Sequence, residues 1–325
     1  MTSRRKRYNF SMKNETLSQP LVIRLCNWVG EVVLMIPTLE RLAAAGFELT
    51  LYGKPWARDL LASYPWQVMN RPKGIRASVS RLKEWRQAQT QNPQALLFTK
   101  SFSSALESRW AGIPASGYAY DGRSFLLANA FEFKHFDHAA ETYWQLANYF
   151  LNDPLPLPRP IHWEPSLYHQ LAAEKLLQQH GLLASNTVML CPFSGADDKA
   201  GRKHWPQFGE LAQRLSHEGQ SLLICPGPGE EAKAEALYPK ALSLPQIPLG
   251  VYGALMKSVG AVVANDTGPG HLAAAAGARV VSIYGPHSNF YWSPLGKSVS
   301  LFANPHHWPE LDPIHASVRR FLDQP

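Results

Sequence analysis

Cysteine and long apolar runs are both scarce in this chain of 325 residues. Its three cysteines, Cys26, Cys191 and Cys225, form no Cys-x-x-Cys pair, which argues against a disulfide framework or a zinc site. The longest apolar stretch, LVIRLCNWVGEVVLMIP, is interrupted by Arg24 and Glu31, which disfavours a transmembrane helix. No apolar segment typical of a signal peptide follows the basic start, so we expect a soluble protein in a reducing, cytoplasmic compartment.

Two binding signatures are also missing. Neither half has Gly-x-Gly-x-x-Gly after its first strand, which disfavours dinucleotide oxidoreductases. The densest histidine site, His306-His307 beside Trp308, is interpreted as loop surface, so no metal site is expected.

The net charge of +7 suits anionic partners such as nucleotides, phosphorylated glycans, acidic lipid or nucleic acid. Nucleic acid is the weakest of these, because no basic motif with stacking aromatics stands out.

The apolar pattern predicts an α/β protein with two domains. Short apolar runs such as LVIRL and FELTLYG alternate with helical patterns, which is typical of βα units and parallel sheets. The segment LNDPLPLPRPIHWEP contains five prolines and predicts a linker. We therefore expect a disordered basic extension over residues 1–20, an N-terminal Rossmann-like domain over 21–150, a linker over 151–165, a C-terminal Rossmann-like domain over 166–303, and a closing helix within 304–325.

The segment VVANDTGPGHLAAAAGA predicts a junction between a buried strand, AVVAN, and a helix that ends at Gly277. Asp266, Thr267 and Gly268 then lie where the amides of a helix N-terminus attract a phosphate, and His271 lies one turn into the helix. An equally good interpretation is that Asp266 or Thr267 caps the helix and that His271 is a core residue.

Two further junctions offer ligand contacts. In CPFSGADDKAGRKHWPQFGEL, Ser194 and Gly195 leave a strand, and Lys203 precedes a helix that opens with Trp205-Pro206. Lys203 is the preferred phosphate counter-charge, with Lys199 and Arg202 as rivals or simply solvated cations. In ICPGPGEEAKAEAL, the Glu230 carboxylate could bind ribose hydroxyls, or it could be an ordinary first-turn acid.

Several of these motifs occur together in one known family. NDTGPGH with SIYGP, KHWP upstream, NWVGEVVLMIPTLERL near the start and LFTKSFSSALESRWAGIPASGYAYDGRSFLL resemble glycosyltransferase family 9, the ADP-heptose:lipopolysaccharide heptosyltransferases. NWVGEVVL looks more like the members that add a second heptose. The resemblance implies a GT-B fold, in which two Rossmann-like domains face a central cleft, with the ADP-heptose donor mainly on the C-terminal domain and no required cofactor or metal.

The resemblance also implies an inverting transfer, which needs a base to accept the proton of the attacking acceptor hydroxyl. In the family this base is the aspartate of a Gly-Asp pair after the first strand, where this chain has Gly30-Glu31. Glutamate keeps the carboxylate but reaches further, and we expect Glu31 to be the base. The alternatives are a first-turn glutamate held by the helix dipole, with another acid as base, or no catalysis.

For the acceptor, a phosphorylated lipopolysaccharide core on lipid A, the preferred ligands are Lys100, Ser101 and Arg123. The basic start, with Arg4 to Arg7, could touch the anionic inner membrane peripherally or serve as a solubilising tail. Three alternatives remain open: a family 9 transferase that uses another nucleotide sugar, a non-catalytic nucleotide-sugar-binding protein, and a nucleotide-sugar epimerase.

Overall fold

The computed structural model describes residues 18–193, 203–286, 288–304 and 306–324. The basic start and residues 194–202, which include Ser194, Gly195 and two of the candidate cations, lie outside these ranges.

The first half of the chain forms a parallel sheet of six strands, called here the N-terminal sheet. Its strand order is β3-β2-β1-β4-β5-β6. The strands are β1 (Gln19–Arg24), β2 (Phe47–Gly53), β3 (Gln67–Asn70), β4 (Gln94–Leu97), β5 (Ala115–Ala119) and β6 (Asn129–Glu132). The helices are α1 (Val29–Ala44), α2 (Ala57–Leu60), α3 (Ile75–Gln87), α4 (Phe102–Ala111) and α5 (Ala139–Leu151).

The second half repeats this topology in the C-terminal sheet, whose order is β12-β11-β10-β7-β8-β9. Its strands are β7 (Thr187–Cys191), β8 (Ser221–Ile224), β9 (Leu242–Ser243), β10 (Ala261–Asn265), β11 (Val280–Tyr284) and β12 (Val299–Ala303). Its helices are α6 (Leu167–Gln179), α7 (Phe208–His217), α8 (Glu231–Leu237), α9 (Leu249–Ser258), α10 (Gly268–Ala275) and α11 (Leu311–Leu322).

Both sheets therefore have the Rossmann strand order, in which the first and fourth strands of each half are neighbours. Central strands β7 and β10 are completely buried, and β1 is buried from its second residue onward, as their continuous apolar runs predicted. The expected α/β fold with two Rossmann-like halves is confirmed. The predicted closing helix is α11, whose Ile314, Val318 and Phe321 pack on the C-terminal sheet.

One helix start was predicted wrongly. Helix α7 begins at Phe208 rather than at Trp205-Pro206. The Trp205 ring is fully buried, and its indole N–H donates to the Pro309 carbonyl at 2.9 Å. Its backbone N–H is bound by the Asn265 side chain at 3.2 Å. These tertiary contacts hold Trp205 outside the helix, which starts only after the following turn.

The proline-rich segment packs on both halves. The indole N–H of Trp163 donates to the Leu60 carbonyl at 2.7 Å, and its backbone N–H donates to the Ala275 carbonyl at 2.8 Å. The Trp163 side chain is 1% exposed. One continuous cluster of buried apolar side chains also includes β1 residues, Trp163 and β10 residues. The core therefore runs from one half into the other.

A polar contact links the same region. Asp59, at α2, accepts a hydrogen bond from the Gly250 amide near the start of α9 at 2.6 Å, through Oδ2. Its other oxygen, Oδ1, lies 3.2 Å from Nε2 of the buried His169 on α6. A single carboxylate of the N-terminal half thus binds two helices of the C-terminal half.

Candidate active site

The candidate residues lie at the carboxyl ends of the central strands. Ligands of open α/β sheets bind where the strand order reverses, which is between β1 and β4 in one half and between β7 and β10 in the other. Glu31 follows β1, and Lys100 follows β4. Lys203 lies on the connection after β7, and Asp266 follows β10. The sequence motifs therefore lie at the position in each sheet where the strand order reverses.

Glu31 is the third residue of α1, and its carboxylate turns back toward the start of its own helix. The backbone amides of Trp28, which is the N-cap residue, and Asn27 lie close enough to this carboxylate to favour its charged form. Glu31 thus occupies the position from which an acid binds the N-cap amide in a capping box. The Tyr143 hydroxyl on α5 also donates to Oε1 of Glu31 at 3.1 Å.

The protonation of Glu31 is set by opposing effects. Burial raises the pKa of this carboxyl above its ordinary value, because a low-dielectric environment penalises the anion. The hydrogen bond from Tyr143 acts against the rise, and the nearby Cys26 thiol and backbone amides of Trp28 and Asn27 act in the same direction, because they favour the charged form. A carboxylate with a raised pKa that still receives donors is the state that a general base requires.

The strand-to-helix junction after β10 has the predicted form. Helix α10 starts at Gly268, Pro269 lies in its first turn, and Gly277 follows the helix with a φ of +83°. Thr267 is the N-cap residue, but its side chain makes no capping hydrogen bond. Its hydroxyl instead approaches the Asn265 carbonyl at 3.4 Å. The helix start thus has no hydroxyl cap to compete with a ligand.

Asp266 does not cap α10 either, because its carboxylate pairs with Lys203. The Lys203 ammonium donates to Oδ2 of Asp266 at 3.3 Å and to the Asp266 carbonyl at 3.2 Å. Asp266 is buried, whereas the Lys203 side chain is 45% exposed. The pair holds a cation beside the start of α10, where it adds to the positive end of the helix dipole.

Asn265 fixes this arrangement, and sequence reasoning missed its role. Its side chain is fully buried, donates to the Pro192 carbonyl at 2.6 Å and accepts from the Trp205 amide at 3.2 Å. It therefore ties the end of β10 to the connection that carries Lys203. A polar residue at the end of a buried strand was the available signal, because such a group requires partners.

His271 lies where the two halves meet. It is buried, and burial lowers the pKa of its imidazole to about 3, so the ring is neutral. Nδ1 has no hydrogen-bond partner within the described ranges. The ring packs on Gly30 so closely that a Cβ there would lie 2.7 Å from Cδ2 of His271. Glu31 and the start of α10 are thereby brought into the same small region.

The candidate acceptor residues behave differently from one another. The Lys100 ammonium lies 4.2 Å from the ring centre of Phe133, and burial lowers its pKa, while Glu31 and Cys26 favour its charged form. Ser101 is exposed and is the N-cap residue of α4. Both are accessible from the carboxyl end of the N-terminal sheet.

Arg123 corrects an expectation, because it cannot present its charge to an acceptor. The side chain is 0% exposed, and its guanidinium donates to the carbonyls of Tyr118, Thr99 and Ser101 at 3.0, 2.7 and 3.1 Å. It also donates to the Ser104 hydroxyl at 3.0 Å. Arg123 binds the loop that carries Lys100 and Ser101, so its role is to hold that loop in place.

Glu230 is engaged by its own turn. Its Oε2 accepts from the Gly227 amide at 2.9 Å, and Glu230 is the N-cap residue of α8. This geometry favours the local structural interpretation over ribose binding.

Within the described ranges, no group of three or more His, Cys, Asp or Glu side chains could hold a metal ion. The helices described there are also too short or too polar to cross a bilayer.

Comparison with known structures places the fold. The chain superposes on E. coli ADP-heptose lipopolysaccharide heptosyltransferase II with a TM-score of 0.76 and 22% identity, covering 94% of this chain and 98% of the other. E. coli heptosyltransferase WaaC with ADP gives a TM-score of 0.70 and 19% identity, with 94% and 99% covered. The two parallel six-stranded sheets thus form a GT-B fold.

Sequence comparison agrees with this fold. Lipopolysaccharide heptosyltransferase 2 of E. coli strain K12 is 28% identical over 297 residues, which is 83% of each chain. Lipopolysaccharide heptosyltransferase 1 of Pseudomonas aeruginosa is 33% identical over 102 residues, covering 30% of this chain and 29% of the relative. The family model of glycosyltransferase family 9 (heptosyltransferase) matches residues 82–313. This chain is a member of glycosyltransferase family 9.

Proposed function

We propose that the protein transfers heptose from ADP-heptose to the inner core of lipopolysaccharide, with inversion and with Glu31 as general base. The observation that carries this proposal is the contact between Gly30 and His271, which joins the base-bearing end of α1 to the phosphate-attracting end of α10. Similarity to lipopolysaccharide heptosyltransferase 2 over 83% of the chain supports the donor and acceptor class.

In this mechanism Glu31 accepts the proton of an acceptor hydroxyl while the hydroxyl oxygen attacks the anomeric carbon. The bond from that carbon to the diphosphate breaks, and its electron pair leaves with ADP. Lys203, held by Asp266, and the start of α10 at Thr267 and Gly268 stabilise the negative charge that develops on the leaving group. His271 is neutral, so it contributes a ring N–H rather than a charge.

Lys100 and Ser101 form the proposed acceptor contact. The electrostatic effect of Glu31 on Lys100 supports this role, because an ammonium near the base would suit a phosphorylated core. Because such an acceptor is anchored on lipid A, the protein would act at the cytoplasmic face of the inner membrane through peripheral contact.

The test is a transfer assay with ADP-heptose and core-truncated lipopolysaccharide for the wild type, Glu31→Gln and Glu31→Ala. We expect both variants to lose about 10²–10⁴-fold in kcat. The matched control is Glu40→Gln, an exposed acid on the same helix, which should keep full activity. Heptose missing from the core of a deletion strain, measured by mass spectrometry, supports the assignment.

Three outcomes would overturn it. Binding of ADP-heptose without turnover on any core acceptor indicates a binding protein. Turnover only with another nucleotide sugar indicates a different donor. Wild-type rates for Glu31→Gln remove Glu31 as the base.

A further inference from the structure

Tyr143 reaches Glu31 from a distant part of the chain. It lies on α5, 112 residues from Glu31 in sequence, and its hydroxyl donates to Oε1 of Glu31 at 3.1 Å. The same hydroxyl oxygen lies 3.8 Å from Sγ of Cys26, which lies on the connection between β1 and α1. Tyr143 is 4% exposed and Cys26 is 7% exposed, so the contact between these two side chains is shielded from bulk water.

We propose that Tyr143 is a positioning residue for the transfer reaction: its hydroxyl holds the Glu31 carboxylate as an anion in the orientation in which it meets the acceptor hydroxyl. This inference rests on the proposed role of Glu31 as general base.

The direction of the hydrogen bonds supports this role. A phenol has one proton, and here it is donated to Oε1 of Glu31, a bond that is stronger when the carboxyl is ionised. The Cys26 thiol is then left to donate toward the phenol oxygen. The resulting series from thiol to phenol to carboxylate stabilises the ionised form of Glu31, which is the form that can remove a proton.

The ring of Tyr143 is itself fixed. It packs against Phe98, with ring centres 5.7 Å apart, and belongs to the core cluster between the sheet and α5. A hydroxyl on a rigid, buried ring loses little entropy when it binds, so it can restrain a glutamate that has three side-chain torsions. This restraint matters here because glutamate reaches further than aspartate and is less fixed by its backbone.

Other ionisable or polar groups surround Glu31, and the expected pH dependence includes them. They come from every element packed around the carboxylate: Cys26 after β1, Lys100 after β4, Tyr143 on α5, His271 on α10 and Tyr291 between β11 and β12. Lys100 favours the anion of Glu31, and His271 is uncharged across the working range. Removing the Tyr143 hydroxyl therefore removes one hydrogen-bond donor to Glu31 and leaves the other groups around the carboxylate unchanged.

The test compares Tyr143→Phe with Tyr149→Phe, a tyrosine two turns along the same helix whose ring stacks on Phe131. Tyr143→Phe keeps the ring and loses the donor. We expect the acid limb of its pH profile for kcat to move up by about one pH unit, because a carboxylate without that donor is harder to ionise. Its kcat should return to within about threefold of the wild type well above that limb. Tyr149→Phe should keep the wild-type profile.

A second variant and a second measurement keep the result decisive. Cys26→Ala should move the limb in the same direction by less than Tyr143→Phe. Titration of the Glu31 carboxyl by ¹³C NMR in the free protein should show the same displacement in Tyr143→Phe without any substrate. An equal loss of kcat at every pH, or an unmoved NMR titration, would show that Tyr143 is only structural.

The failure of this inference can be distinguished from failure of the proposed function. If Glu31→Gln is inactive and Tyr143→Phe has the wild-type profile, Glu31 remains the base and the role of Tyr143 is rejected. If Glu31→Gln is fully active, the base assignment is rejected, and with it the role of Tyr143.

Discussion

Gly30 on α1 and His271 on α10 are in direct contact between the two halves, and a Cβ on Gly30 would lie 2.7 Å from the imidazole. On the other side of this contact, a Cβ on Gly268 would lie 3.3 Å from the Gly30 amide nitrogen. Two glycines therefore allow two helix N-termini to meet. Glu31 is the next residue after this contact, so its distance from the proposed leaving group depends on it.

Gly30→Ala tests this close approach. The added methyl group has no room, so we expect the free energy of unfolding to fall by about 1–3 kcal/mol. Transfer should fall about 100-fold, since displacement of α1 by about 1 Å misplaces the base. Gly209→Ala is the control, because a Cβ there meets nothing within 4 Å. Urea unfolding and initial rates measure both effects, and an active, stable Gly30→Ala would contradict the account.

His271 makes stability depend on pH. Its folded pKa of about 3 lies below the ordinary value of 6.5, so the unfolded chain binds this proton more readily. Stability is fully present above pH 6.5 and is lost as the pH falls toward 3, by up to about 1.4 kcal/mol per pH unit. His271→Gln should lose less free energy of unfolding between pH 7 and pH 4 than the wild type. If the free energy of unfolding, measured by urea titration, falls equally with pH in both proteins, the neutral, buried imidazole is refuted.

Arg123 and Lys100 should have separable effects. Arg123→Lys cannot reproduce the fork of hydrogen bonds to three carbonyls and a hydroxyl, so we expect a loss of about 1–3 kcal/mol in the free energy of unfolding. Lys100→Gln should leave stability within about 0.5 kcal/mol and raise the KM for a phosphorylated acceptor. Thermal unfolding and acceptor titrations distinguish them. An unchanged Tm for Arg123→Lys would show that this buried network contributes little.

Asp59→Asn probes the contact with α6 and α9. An amide supplies one acceptor oxygen where the carboxylate supplies two, so the Gly250 amide and a donating Nε2–H of His169 can no longer both be satisfied. We expect the free energy of unfolding to fall by about 1–3 kcal/mol. Asp323→Asn, in an exposed ion pair with Arg319, should change it by less than about 1 kcal/mol. Similar values for the two variants would show that the half-buried Asp59 contact is no stronger than the surface pair.

Local sequence predicted those features that depend on near neighbours. The apolar run before Asp266 and the glycine after α10 were sufficient to place that junction, because burial and helix termination leave local patterns. The family resemblance added the GT-B fold. The partners of each polar group were not predictable: Tyr143 lies far from Glu31 in sequence, and no motif marks it. Arg123 was misjudged because a cation that binds carbonyls in the core has the same sequence signature as one that binds a ligand.

The packing of Trp163 bears on how the molecule unfolds. This side chain is buried against both halves, and the apolar core continues past it without a break. Cutting the chain at the proline-rich segment would expose apolar surface on each piece, so neither piece is expected to be a stable domain by itself. The two Rossmann-like halves should melt in one cooperative transition, with calorimetric and van't Hoff enthalpies in agreement.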